Sequence, residues 1–448
     1  MSAQSPSTDR RAPLALDTDV LIVGAGAAGV AAAVTAARQG SRVTLLERYG
    51  FCGGGAVAGL SGTICGMYEA SDNADAPPNQ IVHGFLDEFA AHMTARGGLT
   101  PPVRYGKTFT RVHDPLIWRE TADAMLREAG VQLLLHTTVT NVLVDGGEKI
   151  DGVEAYTKQG RLSVRAKVTI DASGDADIAA MAGLPTFIGQ DGKVQNPTMI
   201  FRIGGVDTER FLAAYGPDSI MGRNVTDLIL RLHNSAEYRL PRAKIFLFPT
   251  PRPNELLCNC TRILGRDGRE LNPLLIEDLT EAEIEGRLQV REYARFFKDH
   301  LDGCEDSYVN DTGVQVGVRQ TRQVLGRATL RNEDVTRGAK FRTGIARSPW
   351  PIELHSGDKP RLVWLINDYY EIPLECFVPQ RGEGLFAAGR CLSAEHEAMA
   401  SARVTAQCFS YGHAIGHAAA IAIKENLQPS AIDAAEVREH LNRDGARL

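Results

Sequence analysis

Residues 20–48 read VLIVGAGAAGVAAAVTAARQGSRVTLLER, and the parsing of this stretch decides the fold. Val20-Leu21-Ile22-Val23 is a short apolar run rich in β-branched residues, which predicts a central parallel strand covered on both faces. The loop Gly24-Ala25-Gly26-Ala27-Ala28-Gly29 follows, then an Ala-rich helix over 27–39 that Gly40 stops. Val43 to Leu46 is the next strand, and it ends in Glu47. Together they make one βαβ unit whose glycines have distinct tasks. Gly24 permits the tight turn, Gly26 lets the backbone approach a pyrophosphate, and Gly29 lets helix pack on strand. The helix N-terminus, with Ala27 and Ala28 in its first turn, offers unpaired N–H groups and the positive end of its dipole to the diphosphate. Glu47, 21 residues after Gly26, stands where a carboxylate accepts hydrogen bonds from ribose hydroxyls.

Working outward, Gly53-Gly54-Gly55 follows Glu47 within a few residues, where an ordinary nicotinamide domain would continue its alternation of strands and helices. Two further Gly-containing segments, at 171–175 and 384–390, lie far off in sequence, yet each follows or contains an apolar run. A compact NAD fold does not need them, whereas an extended FAD wrapped by pieces of the whole chain does. Between them the texture changes. Residues 185–375 hold strand-like runs at 199–203 and 256–261 and a helix over 281–301. That helix opens on the apparent capping box Thr280-x-x-Glu283, with Ile284, Leu288, Phe297 and Leu301 near one face. The expected fold class is α/β: a Rossmann-like FAD-binding domain assembled from discontinuous segments, with an inserted α+β substrate (cap) domain. Its expected bounds are 17–184 and 376–426 for the FAD-binding parts and 185–375 for the cap, with 1–16 and 427–448 as tails.

At this point the chain resembles a known group, the FAD-dependent oxidoreductase family related to the flavoprotein subunits of fumarate reductase and succinate dehydrogenase. The matching pieces are the opening stretch, FCGGGAV (51–57), DASGDADIA (171–179), YYEIPLECFVP (369–379) and LFAAGRCLSAEHEAMASARV (385–404). The resemblance implies that Gly24, Gly26, Gly29 and Glu47 hold the ADP moiety, with Arg48 and Gly53, Gly54 and Gly55 along the pyrophosphate and flavin edge. It places the Val139 backbone at adenine, Asp171, Ala172, Ser173 and Gly174 near ribose and diphosphate, and Gly389 and Arg390 beside the ribityl chain. The final helix, starting near Thr405, would point its N–H groups at the flavin pyrimidine, where reduction adds negative charge. One departure is Phe51-Cys52, where fumarate reductases carry a His-containing segment; Cys52 reads as a small residue packed beside the cofactor rather than a covalent link.

Hydride transfer at a flavin needs a substrate carbon over N5, a group that moves the accompanying proton, and something to orient the substrate. His396 lies between Arg390 and the last helix and is a candidate acid or base, with a structural hydrogen bond to Glu395 or Glu397 as its alternative. Arg403 stands just before that helix, placed for a substrate carboxylate or the flavin edge. His355, Tyr369 and Tyr370, together with Arg319 and Arg322, are further candidates, and Cys65 and Tyr68 are pocket-lining ones. His413 and His417 are four apart, a metal-binding spacing on a helix. With alanines around them and no third ligand in view they read as packing residues, and no metal is expected.

The bulk numbers exclude other classes. A chain of 448 residues suggests two joined lobes, and 44% hydrophobic with 23% charged residues is the make-up of a globular enzyme. A net charge of −6 without a dense basic run gives no reason to expect a nucleic-acid partner. Eight scattered cysteines without C-x-x-C or zinc spacing fit a reducing compartment. The first 17 residues lack the apolar core of a signal peptide, and the uncharged stretch 20–37 is interrupted by glycines, so a cytoplasmic protein without membrane insertion is expected. The expected function is that of a dehydrogenase or reductase moving a hydride between a small organic substrate and flavin N5. With no second G-x-G-x-x-G, the electron acceptor or donor is a separate, unknown partner. A flavin monooxygenase and a non-redox FAD-binding subunit are the alternatives, and a homo-oligomer is compatible with either reading.

Overall fold

The run Val20–Val23 forms the inner end of strand Leu14–Val23, the centre of the main sheet in a computed structural model that describes residues 14–355 and 361–448. Val20, Leu21 and Ile22 are completely buried, as a strand covered on both faces requires. Strand order is Gln132–Leu134, Val43–Leu46, Leu14–Val23, Gly160–Asp171, Lys149–Thr157 and Thr138–Asp145. The first four strands run parallel and the last two antiparallel. One edge of Gly160–Asp171 is shared. Its first half pairs with Lys149–Thr157, and its last residues, Thr169 to Asp171, pair in parallel with Leu385–Ala387 from the far end of the chain. The alanines of helix Ala27–Arg38 let helix Thr405–Glu425 cross it closely: a Cβ on Gly412 would run into the Ala28 carbonyl.

The inserted part is a four-stranded antiparallel sheet in the order Phe246–Pro249, Glu255–Asn259, Phe201–Gly204, Tyr308–Thr312, with its own aromatic core. Helix Ile276–His300 covers it and differs from the sequence expectation. It starts a turn earlier, so Thr280 is no cap; its hydroxyl donates to Ile276 O at 2.7 Å, and Glu283 accepts instead from Val316 N–H at 2.7 Å. Ile284 and Leu288 are exposed, because the buried face is set by Val290, Tyr293, Phe296 and Phe297. Bulky aromatics that fill the sheet's concavity outrank scattered aliphatics in choosing the face.

Three expected boundaries are corrected. Leu14 to Leu16, assigned to a tail, belong to the central strand and pair with Leu162 to Val164, while residues 1–13 lie outside the described ones. Leu330, Ile345, Ile352, Tyr370 and Ile372, assigned to the cap, lie in the same core as the first helix. The expected C-terminal tail contains helix Ala434–Arg443, whose Val437 and Leu441 are buried in that core. Ten residues of amphipathic helix beyond a long apolar one read as a loose end in one dimension, yet they cover a face of Thr405–Glu425 that would otherwise meet water. Among the described residues, no helix is long and apolar enough to cross a membrane.

Candidate functional site

Val23, Leu46, Asp171 and Ala387 end four adjacent parallel strands, so the turns that follow them emerge side by side. Backbone bonds tie the turns together. Gly24 N–H donates to Leu46 O (2.8 Å), Ala172 N–H to Val23 O (2.9 Å), Gly53 N–H to Ala25 O (2.8 Å) and Ala388 N–H to Asp171 O (2.9 Å). Gly24 has φ +101°, and a Cβ there would overlap the Ala172 carbonyl; a Cβ on Gly29 would overlap Gly24 O. Gly54 approaches Gly26 so closely that its Cβ would lie 2.8 Å from Gly26 Cα. In contrast, a Cβ at Gly26 would meet nothing nearer than 3.8 Å, and one at Gly55 nothing within 4 Å. That is the open side of the cradle.

Helix Ala27–Arg38 starts on Gly26 without a side-chain cap and with no acidic residue in its first turn, and helix Thr405–Glu425 starts on Val404 in the same way. Uncapped N–H groups at a glycine turn suit a diphosphate, and a second uncapped terminus suits the electron-rich edge of a flavin. The residues present therefore fit an FAD.

The expected cofactor residues fall as follows. Glu47 is buried, and its carboxylate accepts from Ala25 N–H (2.7 Å) and Tyr49 N–H (2.9 Å). Burial pushes its carboxyl up against the pull of those bonds. It braces the glycine loop from below. Arg48 is exposed and reaches the Gln315 side chain at 3.0 Å. Val139 pairs with Ala155 on the sheet edge, two residues beyond Thr137, whose N–H donates to Glu47 O. Asp171, fully buried, accepts from the Ser173 hydroxyl (2.6 Å) and Ile178 N–H (2.9 Å) and so shapes the turn carrying Ala172, Ser173 and Gly174. Arg390 packs over Gly174 and pairs with Asp175 at 2.9 Å. Gly389 abuts Ala28, and the Thr405 hydroxyl donates to Thr63 O at 3.1 Å. Cys52 is completely buried, which pushes its thiol far up and leaves it a packing residue.

Beside the cradle lies a second polar cluster. Gly59 sits against Gly317, and Thr198 and Gly317 exchange backbone hydrogen bonds of 3.2 and 2.7 Å. Two residues beyond Gly317, buried Arg319 donates to Asn196 O at 2.6 Å. Arg403, two residues before the final helix, donates to the Gln195 side chain at 3.2 Å. His355 shares Glu353 Oε1 with the Tyr105 hydroxyl, at 3.1 and 2.9 Å. Burial opposes the charge on Glu353, but His355 and Arg403 outweigh it and hold the carboxyl low, while burial and Arg319 keep the His355 imidazole neutral. Burial, with Arg403 and Arg242 close by, works against the Arg319 cation too. Among the described residues, Arg403 Nε and the Asn196 side chain have no hydrogen-bond partner.

So the fold unites Arg403, His355 and Arg319, and adds Glu353, Tyr105, Gln195, Asn196 and Arg242, which no local pattern marks. Cys65, expected to line the pocket, lies there too, close to Tyr105, Glu353 and Arg403. Tyr370, His396 and Arg322 stand apart. Tyr370 is completely buried and bonded to Ser401 at 2.7 Å, a core residue rather than a reacting one. His396 starts helix His396–Ala402, faces Gly189, and makes neither of its expected bonds: Glu395 accepts from Asn332 N–H and Glu397 from Arg361. Arg322 pairs with Asp177 at 2.6 Å. His413 and His417 do acquire the third neighbour that the sequence lacked, Asp444.

Known proteins share stretches of this sequence or its fold. A stretch of 49 residues is 55% identical to urocanate reductase from Eggerthella lenta, covering 11% of this chain and only 8% of that relative's length. Among solved structures, a geranylgeranyl bacteriochlorophyll reductase-like protein from Thermoplasma acidophilum shares the fold with a TM-score of 0.50 at 14% identity, over 96% of this chain and 84% of the other. A flavin-dependent brominase does so with a TM-score of 0.50 at 16% identity, over 95% and 83%. The sequence profile of the FAD dependent oxidoreductase family matches residues 19–441, so the chain belongs to that family and is an oxidoreductase whose cofactor is FAD.

Proposed function

We propose that this enzyme moves a hydride between flavin N5 and a small organic substrate that carries an anionic group. The observation that supports this reading is the charge balance of the buried cluster: among the described residues, the guanidinium groups of Arg242, Arg319 and Arg403 gather near one carboxylate, Glu353. An excess of desolvated positive charge is costly unless something negative joins it, and a substrate carboxylate answers that need. Bound FAD would supply the two-electron acceptor or donor. Arg319 and Arg403 would orient the substrate through its anionic group, Arg403 with the Nε that lacks a partner among the described residues. Neutral His355, steadied by Glu353 and Tyr105, would take up or return the accompanying proton. Burial of the cluster would exclude water from the transfer.

The test is anaerobic mixing of oxidised and of pre-reduced enzyme with a panel of small carboxylates and their neutral amides, following flavin absorbance. One or more carboxylates should change the redox state while the matching amides fail, and Arg403→Ala should slow that change about 100-fold without losing flavin. Equal rates for acid and amide, or an undiminished rate in R403A, would refute the reading.

A further inference from the structure

His413 and His417 lie one turn apart on helix Thr405–Glu425, both almost completely buried, with ring centroids 5.1 Å apart. Their Nε2 atoms point at the same oxygen, Asp444 Oδ2, at 3.0 and 2.9 Å. Asp444 follows helix Ala434–Arg443 directly, so the set joins the long helix to the last one. All three atoms lie within 4.8 Å of one another. We propose that His413, His417 and Asp444 form a binding site for a divalent transition-metal ion of the zinc class, which staples the C-terminal helix to the flavin-supporting helix.

Two imidazole nitrogens and one carboxylate oxygen are a donor set that zinc accepts, at about 2.0–2.2 Å each. Ligands at that range in a tetrahedral arrangement stand roughly 3.3 Å apart, a few tenths of an ångström beyond the present hydrogen bonds. The site needs little rearrangement. His417 Nδ1 is buried and has no partner among the described residues, so it is free to carry the ring proton once Nε2 ligates. His413 would make the same tautomeric change and give up its 3.5 Å contact with Phe85 N–H. The Asp444 side chain is 43% exposed, which gives the ion an entry path and leaves its fourth position to water.

His413 is eight residues from Thr405, about 12 Å along the helix at 1.5 Å per residue. The ion would therefore touch neither the cradle nor the arginine cluster, and its role would be to hold the helix that closes the flavin site. This inference does not depend on the proposed substrate.

The experiment is calorimetric titration of zinc chloride into untagged, full-length, flavin-loaded protein that has been treated with a chelator and desalted, with thermal unfolding recorded before and after. The wild type should bind one equivalent at micromolar or lower zinc and unfold at a higher temperature with it. Asp444→Asn, at the exposed rim and able to keep one hydrogen bond, should bind at least about 10-fold more weakly, as should His417→Asn. The half-buried histidine His92, on a different helix from the site and paired there with Glu88, is the control, and His92→Gln should change nothing. Absence of a zinc heat in the wild type, affinity unchanged in D444N, or loss of binding in H92Q would each overturn the site.

Discussion

Gly26 and Gly29 are three residues apart on one loop, but a methyl group would have different consequences at each. At Gly29 it would meet the Gly24 carbonyl, and backbone cannot step aside cheaply; Gly29→Ala should cost about 3 kcal/mol of folding stability by overpacking. At Gly26 nothing stands nearer than 3.8 Å. Gly26→Ala should leave the apoprotein within about 0.5 kcal/mol of wild type but weaken FAD binding at least about 10-fold, since the methyl would occupy the diphosphate's approach. Urea unfolding of the apoproteins and an FAD titration separate the two effects, and wild-type FAD affinity in G26A would show that the diphosphate sits elsewhere. A residue of a different kind is His113, 2% exposed and packed at a tilt against Trp118, with ring centroids 4.7 Å apart. Burial brings its pKa down to about 4, so the folded protein keeps it neutral. Below pH 6.5 the unfolded chain takes up a proton that the folded one refuses until about pH 4, so stability falls as pH drops through that window and is unaffected above it. The full loss is about 3 kcal/mol for this shift. His113→Phe should flatten that slope relative to wild type between urea midpoints measured at pH 7 and 4.5, and parallel slopes would show that His113 is not the group responsible.

At the scale of elements, the last helix does more than its position at the end of the chain implies. Ala434–Arg443 is capped by the Asp433 carboxylate, which accepts from Ala435 N–H at 2.9 Å, and its inner face buries Val437 and Leu441. Leu441→Ala should therefore destabilise the whole protein by about 3 kcal/mol, as a core truncation does, rather than by the few tenths expected of a frayed end. Chemical denaturation with tryptophan and flavin signals followed together gives the answer. Midpoints unchanged in both signals would return 427–448 to the status of a tail. The same scale explains the misjudged helix in the cap. A hydroxyl three residues before a glutamate matched the capping pattern, but the first turn had already formed upstream around Glu277 and Asp278, and Asp278 is fixed by Arg269 and Asn272 from outside the helix.

Across the whole molecule, the cradle draws on turns after residues 23, 46, 171 and 387, so in the placement we propose both ends of the described chain would hold the cofactor. Removing FAD should then loosen a core-wide junction and not a single loop. Deflavinated protein should unfold at a lower temperature and regain the difference with FAD, worth about 4 kcal/mol at a thousandfold excess over its dissociation constant. FMN at the same concentration should restore much less under the placement we propose, in which the Gly24–Gly29 turn and Glu47 would hold the ADP half. Equal rescue by FMN in a thermal shift assay would deny that half its role.

The amino-acid sequence by itself determined the βαβ opening, the FAD cofactor of the family and the gathering of distant glycine turns at one end of the sheet. These follow from local causes: a β-branched run, a glycine spacing, an uncapped Ala-rich helix. Only the tertiary structure decided which charged groups share a low-dielectric space. Arg319, His355 and Arg403 were recognisable singly, but Glu353, Tyr105 and Asn196 became partners because five separate segments fold into contact. Asp444 joined His413 and His417 in the same way, 27 residues beyond the second histidine. Side-chain chemistry is written one residue at a time, whereas burial and proximity are properties of the packed chain, and it is those that set charge, protonation and ligand geometry.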